Sequence, residues 1–218
     1  MTTSWRTELP HWLVLAAMFG LAAINWSSAP DRMPVHWNVD GQPDRYGSKA
    51  EGLLLLPVIA LGIYLLFRVL PLIDPKRANY AQFSGAYSVI RLAVLAFLAV
   101  IYGVVLLWMR GIEVELRTVL PIALGMLFLI LGAALPRIRP NWLVGIRTPW
   151  TLTSDVVWTR THQLGGALFM AIGVFSLLVA VVSPRVAFYA TVGMVLVAVV
   201  AVTVLSYVIW RREQHTTA

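Results

Sequence analysis

The sequence predicts an all-α integral membrane protein with six transmembrane helices and two ordered polar loops. Of its 218 residues only 12% are charged and 59% are hydrophobic, whereas a soluble domain carries about 25% charged residues. Mean hydropathy is +0.78. The apolar residues gather into six runs, each near the ~20 residues that cross a ~30 Å hydrocarbon core. Each run is apolar all round rather than along one stripe, as lipid exposure requires.

Met1–Pro10 reads as a short polar leader carrying Arg6 and Glu8, and Trp12–Ser28 is the first, charge-free run. Ser27, Ser28 and Ala29 offer small residues for signal-peptide cleavage, but Pro30 directly after them and the weakly positive leader favour a retained helix. The other runs are Leu53–Leu72, Leu92–Met109, Thr118–Leu135, Leu164–Val182 and Val186–Trp210. Arg68, near the end of the second, is expected to snorkel to the interface along its aliphatic stem. No Asp or Glu falls inside a run. Intramembrane carboxylates are the usual mark of ion-coupled transport, so a small-molecule or lipid transporter is the weaker alternative.

The chain divides into a helical hairpin with an outer loop (residues 11–80) and a third helix with its short connection (81–117). A three-helix region (118–210) and a cytoplasmic tail (211–218) follow. Orientation is read from Lys and Arg in the connections. With the N-terminus inside, the inner side holds eleven: Arg6, Arg68, Lys76, Arg77, Arg91, Arg137, Arg139, Arg147, Arg160, Arg211 and Arg212. The outer side holds six: Arg32, Arg45, Lys49, Arg110, Arg117 and Arg185. Both termini are therefore expected in the cytoplasm.

Two polar stretches stand out. In the outer connection Ala29–Gly52, the residues Asn38, Asp40-Gly41 and Pro43-Asp44 are turn formers. His36, Trp37 and Tyr46 add a polar-aromatic face suited to lipid headgroups or a peptide partner. The inner stretch Arg139–His162 concentrates three of the nine Trp, three Arg and two Pro. Gly145 permits a bend, Pro149 disfavours helix at Thr148, and Thr153 or Ser154 is placed to cap a new helix with Asp155 in its first turn. Trp158 and His162, four apart, share a face. Trp142, Trp150 and Trp158 are expected at headgroup level as an aromatic belt. Two readings stay open: an anchor for the helix ends, and a docking surface in which Arg147 and His162 make the polar contacts.

At these two stretches the chain resembles the SdpI family of bacterial immunity proteins. Its first half resembles the uncharacterised domain that usually precedes the SdpI region, on Pro34, His36, Trp37, Asn38, Gly41, Asp44, Tyr46, Ser48 and Lys49. The second half resembles the SdpI region itself, on Pro140, Asn141, Gly145, Ile146, Arg147, Thr148, Pro149, Trp150, Thr151 and Leu152. Trp158, Thr161, His162, Gly165 and Gly166 continue that pattern. One departure is Ala133, between Gly132 and Pro136, where family members often carry Asn.

The resemblance implies a multi-pass protein of the bacterial inner membrane. It implies immunity to a secreted toxic peptide outside, signalling through a small DNA-binding repressor docked inside, or both. The partner-binding candidates are Pro34, His36, Trp37, Asn38, Gly41, Asp44, Tyr46 and Lys49 outside. Inside they are Asn141, Gly145, Arg147, Trp150, Trp158 and His162.

Other chemistry finds little support. There are no cysteines, which removes thiolate metal sites and thiol catalysis. No nucleophile–base pairing or His-Glu-x-x-His motif occurs, so neither an enzyme nor a cofactor is expected. His36 with Asp40 or Asp44 falls short of the three ligands a metal site needs. The basic excess, 17 Lys and Arg against 10 Asp and Glu, fits topology signals and contact with lipid rather than direct nucleic-acid binding.

Overall fold

Six helices in the computed structural model are long and apolar enough to cross a membrane, and the described residues are 5–38 and 40–217. They are α1 (Trp5–Asn25), α2 (Lys49–Ile73), α3 (Ser84–Met109), α4 (Leu116–Ala134), α6 (Asp155–Val182) and α7 (Pro184–Thr217), with a five-residue α5 (Pro149–Thr153) before α6. The protein is a multi-pass membrane protein. Its outer surface supports this: Val181, Val182 and Val197 are among many large apolar side chains left exposed, and only lipid covers such a surface without cost.

The connection between α1 and α2 is a hairpin rather than an irregular loop. Strand β1 (Arg32–Trp37) pairs antiparallel with β2 (Pro43–Ser48), with register irregularities around His36. The turn chemistry was visible in the sequence. The ladder was not, because these strands are short and their burial does not alternate, with the adjacent Met33 and Pro34 buried in β1 and no residue buried in β2.

Helices α4 and α6 pack backbone against backbone through two glycine pairs. A Cβ on Gly132 would stand 2.7 Å from the Gly166 carbonyl oxygen, and one on Gly173 would stand 2.7 Å from that of Gly125. Small residues permit this close approach, which replaces hydrophobic driving force inside a bilayer. Ser176 donates across the seam to the Pro121 carbonyl at 2.7 Å.

Two apolar clusters complete the interior. Near the hairpin, Met18, Met33, Leu53, Leu95 and Tyr102 join α1, α2, α3 and β1. At the opposite end, Tyr80, Phe83, Tyr87, Ile138 and Trp158 join the first half of the chain to the second.

Two expectations need correction. The polar leader is not outside the bundle: α1 begins by Trp5, and Glu8 is buried at 3% exposure. Pro10 is no obstacle, since proline is tolerated in membrane helices when neighbours meet the freed backbone groups. Trp158 is not part of an interfacial belt; it is 1% exposed and its indole N–H donates to the Ile138 carbonyl at 2.9 Å. Residues 211–217 continue α7 as helix.

Candidate functional site

The two conspicuous stretches lie at opposite ends of the bundle, and a buried ion pair lies between helices near one of them.

At the hairpin end, Asn38 forms the turn. Its side-chain oxygen accepts from the amides of Asp40 (3.0 Å) and Gln42 (3.1 Å), and Gly41 takes a positive φ of 79°. A Cβ on Gly41 would come within 2.8 Å of the Arg117 Cβ, so the tip rests against the start of α4. His36 Nδ1 lies 2.5 Å from Asp44 across the strands. Ser48 caps α2 by accepting from the Glu51 amide at 3.2 Å, and Lys49 lies 3.9 Å from Asp31. Pro34 pairs with Tyr46 in the ladder, and Trp37 packs on the neighbouring cluster. The face left open comprises His36, Asp44, Arg45 and Tyr46, the last 47% exposed.

The opposite end is built inward. Asn141 is buried; its amide donates to the carbonyls of Arg139 (2.9 Å) and Val144 (3.0 Å). Its oxygen accepts from the amides of Leu143 (3.0 Å) and Val144 (2.6 Å). Asp74, also buried, accepts from the Tyr80 hydroxyl and the Trp142 amide, both at 3.0 Å, and so ties the α2–α3 connection to the Asn141 stretch. Asn79 adds a bond to the Pro140 carbonyl at 2.7 Å.

His162 holds the bend. Its Nε2 accepts from the Ile146 amide (3.0 Å) while Nδ1 donates to the Trp158 carbonyl (2.9 Å), which places the ring proton on Nδ1. The ring stacks on Trp158 with centroids 4.1 Å apart. Gly145, at φ +107°, passes so close to this imidazole that any Cβ would collide with it.

Thr148 caps α5 in a reciprocal box with Thr151, and its hydroxyl meets Ser206 of α7 at 3.0 Å. Ser154 caps α6, as its position suggested. Asn141, Gly145, Trp158 and His162 are thus drawn together into a scaffold. Trp142 and Arg147 point outward, and Trp150 leans on Tyr207 at a centroid distance of 5.1 Å.

The ion pair is the feature that periodicity and composition missed. Arg91 donates to both Glu8 oxygens, at 2.9 and 2.7 Å, and both residues are buried. Tyr64 donates to the same carboxylate at 2.9 Å and accepts from the Trp12 indole at 2.7 Å; Arg68 adds a longer contact at 3.4 Å. His11, also buried, bridges the Thr7 and Ser88 carbonyls at 3.1 Å each. A carboxylate therefore does sit inside a membrane helix. Arg91, read from the sequence as a loop charge, is instead a buried residue of α3. The signal lay in Glu8-x-x-His11 leading straight into an apolar run, one helical turn apart. Deleting one partner of such a pair strands a buried charge and costs about 3–5 kcal/mol.

Among the described residues no group of three His, Asp or Glu comes together to hold a metal ion.

Residues 137–210 match the model of the SdpI/YfhL protein family, and residues 13–61 match that of a domain of unknown function (DUF1648). The second of these regions, residues 137–210, is thus similar to the SdpI/YfhL protein family. It begins beside the Asn141 scaffold and ends in α7, while the preceding match runs from residue 13 within α1 through the hairpin to about the middle of α2. The chain is also 23% identical over 195 residues to the Immunity protein SdpI of Bacillus subtilis (strain 168), covering 89% of this chain and 91% of that protein. No solved structure matches.

Proposed function

We propose that this protein is a non-catalytic immunity protein of the bacterial inner membrane, protecting its cell from a secreted toxic peptide. The observation that carries the reading is the similarity to Immunity protein SdpI along nearly the whole of both chains. In this reading the hairpin faces outward, with both termini and the Asn141 scaffold in the cytoplasm. The open face of His36, Asp44, Arg45 and Tyr46 is the receiving surface. It suits an amphipathic peptide, since charge of both signs lies beside a phenol ring on a preformed turn.

The scaffolded opposite end adds a signalling role. Trp142, Arg147 and Arg139 project from a frame held by Asp74, Asn141 and His162, which suits docking of a small DNA-binding repressor. The transporter alternative gains the buried Glu8, but both carboxylate oxygens are held by Arg91.

The test is complementation. A Bacillus subtilis strain deprived of its own Immunity protein SdpI receives this chain and is grown beside the unmodified strain. Restored survival supports the reading. Unchanged killing, with the chain present in the membrane, argues against it.

A further inference from the structure

The turn Leu135–Arg137 closes α4, and Ile138 leaves it in an extended conformation with its side chain buried. The neighbours of an extended residue point the opposite way, so Arg137 and Arg139 both turn out of the bundle and stay exposed. They stand over an open cleft of about 410 Å³ whose other wall is the beginning of α3, with Phe83, Ser84 and Gly85. No Asp or Glu lines it. Arg137 uses one nitrogen on the Ala133 carbonyl, and among the described residues neither guanidinium meets a carboxylate. A Cβ placed on Gly85 would meet nothing within 4 Å, so the cleft is open on the α3 side as well. Two planar, permanently charged forks with no acid beside them suit an anion with several oxygens, a phosphate above all.

Depth gives the source of that phosphate. The 19 residues of α4 cover about 28 Å at 1.5 Å per residue, close to the ~30 Å hydrocarbon core. The two arginines follow its last turn, which puts the cleft at headgroup level. From there the seam between α3 and α4 continues toward the bilayer centre as an apolar groove of about 470 Å³. Ala93, Ala96 and Phe97 form one side of it, and Met126, Leu127 and Ile130 the other. Ala86 in the cleft wall shares a face of α3 with Ala93 and Phe97 in the groove. Ile130 and Met126 stand four and eight residues before the end of α4, about 6 and 12 Å deep, within the ~15 Å of one leaflet's chains. Charge at the mouth and an apolar groove behind it, on one seam, match an amphiphile with an anionic head. We propose that the α3–α4 seam binds an anionic membrane phospholipid, its phosphate between Arg137 and Arg139 and one acyl chain along Ala96, Phe97 and Leu127. The site is independent of the immunity reading. Arg139 alone is shared with the surface proposed for a repressor, and a lipid-binding measurement contains no repressor.

The test uses the full chain in maltoside micelles, with lipid retention read by native mass spectrometry. Phosphatidylglycerol and phosphatidylcholine of matched acyl chains are compared, and inorganic phosphate is the soluble competitor. Phosphatidylglycerol should be retained about ten-fold more tightly, the scale of one charge-assisted hydrogen bond. Arg139→Gln should lower that preference about three-fold or more, and Arg137→Gln combined with Arg139→Gln should remove it. Arg160→Gln, exposed on α6 and outside the cleft, should keep it. Ala96→Trp fills the groove and should weaken retention of both lipids alike. The Arg139 side chain makes no hydrogen bond among the described residues, and an unchanged melting temperature of its variant separates loss of the site from loss of the fold. The proposal is overturned by an unmodified protein without the preference, by an Arg139→Gln protein that keeps it in full, or by an Ala96→Trp protein that retains both lipids as before. Displacement of phosphatidylglycerol by equimolar inorganic phosphate would also overturn it, since the ligand would then be a soluble anion.

Discussion

The hairpin and the stretch around Asn141 are both short polar segments rich in Pro, Asn, Gly and Trp, yet they are stabilised in opposite ways. The hairpin satisfies itself locally, with a ladder, an Asn38 turn and an exposed His36–Asp44 contact. The Asn141 stretch is satisfied from afar: Asp74 and Tyr80 from one connection, His162 from α6 and Ser206 from α7. A locally satisfied segment can vary its exposed residues with little effect on the fold. A segment held by buried, long-range bonds cannot. Under the proposed function, changes in the hairpin should therefore report on recognition, and changes around Asn141 on folding.

The sharpest contrast is expected at Asn141. Asn141→Ala leaves two buried amides without acceptors, costing on the order of 3 kcal/mol or more, seen as a large drop in melting temperature in detergent. Next is Thr148→Val, which removes the α5 cap and the Ser206 contact at about 1–2 kcal/mol by the same measurement. Asn38→Ala, the equivalent turn change in the hairpin, should cost about 1 kcal/mol. A larger loss there than at Asn141 would break the comparison. Smallest is His36→Ala, at less than about 1 kcal/mol, since exposed ion pairs contribute little. Under the proposed function that variant lowers survival beside toxin-producing cells while its melting temperature stays put.

Much of this contrast was legible in the sequence, and the limits have physical causes. Six helices follow from hydropathy alone, because a bilayer demands long apolar segments. Ser154 as a helix cap and Asn38 and Gly41 as turn formers follow from local backbone chemistry. What escaped was long-range: that Asp74 in a short connection reaches Trp142, or that Arg91 turns inward to Glu8. A charge near a helix end is read as a loop residue unless its partner is known, and here the partner lies 83 positions away. Trp158 was misplaced for a similar reason, since an aromatic near a membrane helix end suits either an interfacial belt or a buried stack. The stacked His162 decides for the latter.

Under the proposed function the hairpin receives a ligand outside the cell while the Asn141 scaffold faces inward. Because the chain has no cysteine, single substitutions Tyr46→Cys and Arg147→Cys can be labelled in intact cells with a membrane-impermeant maleimide. Labelling at position 46 without permeabilisation, and at position 147 only after it, is the expected result. Labelling at 147 in intact cells, with 46 protected, would invert the orientation and contradict the claim.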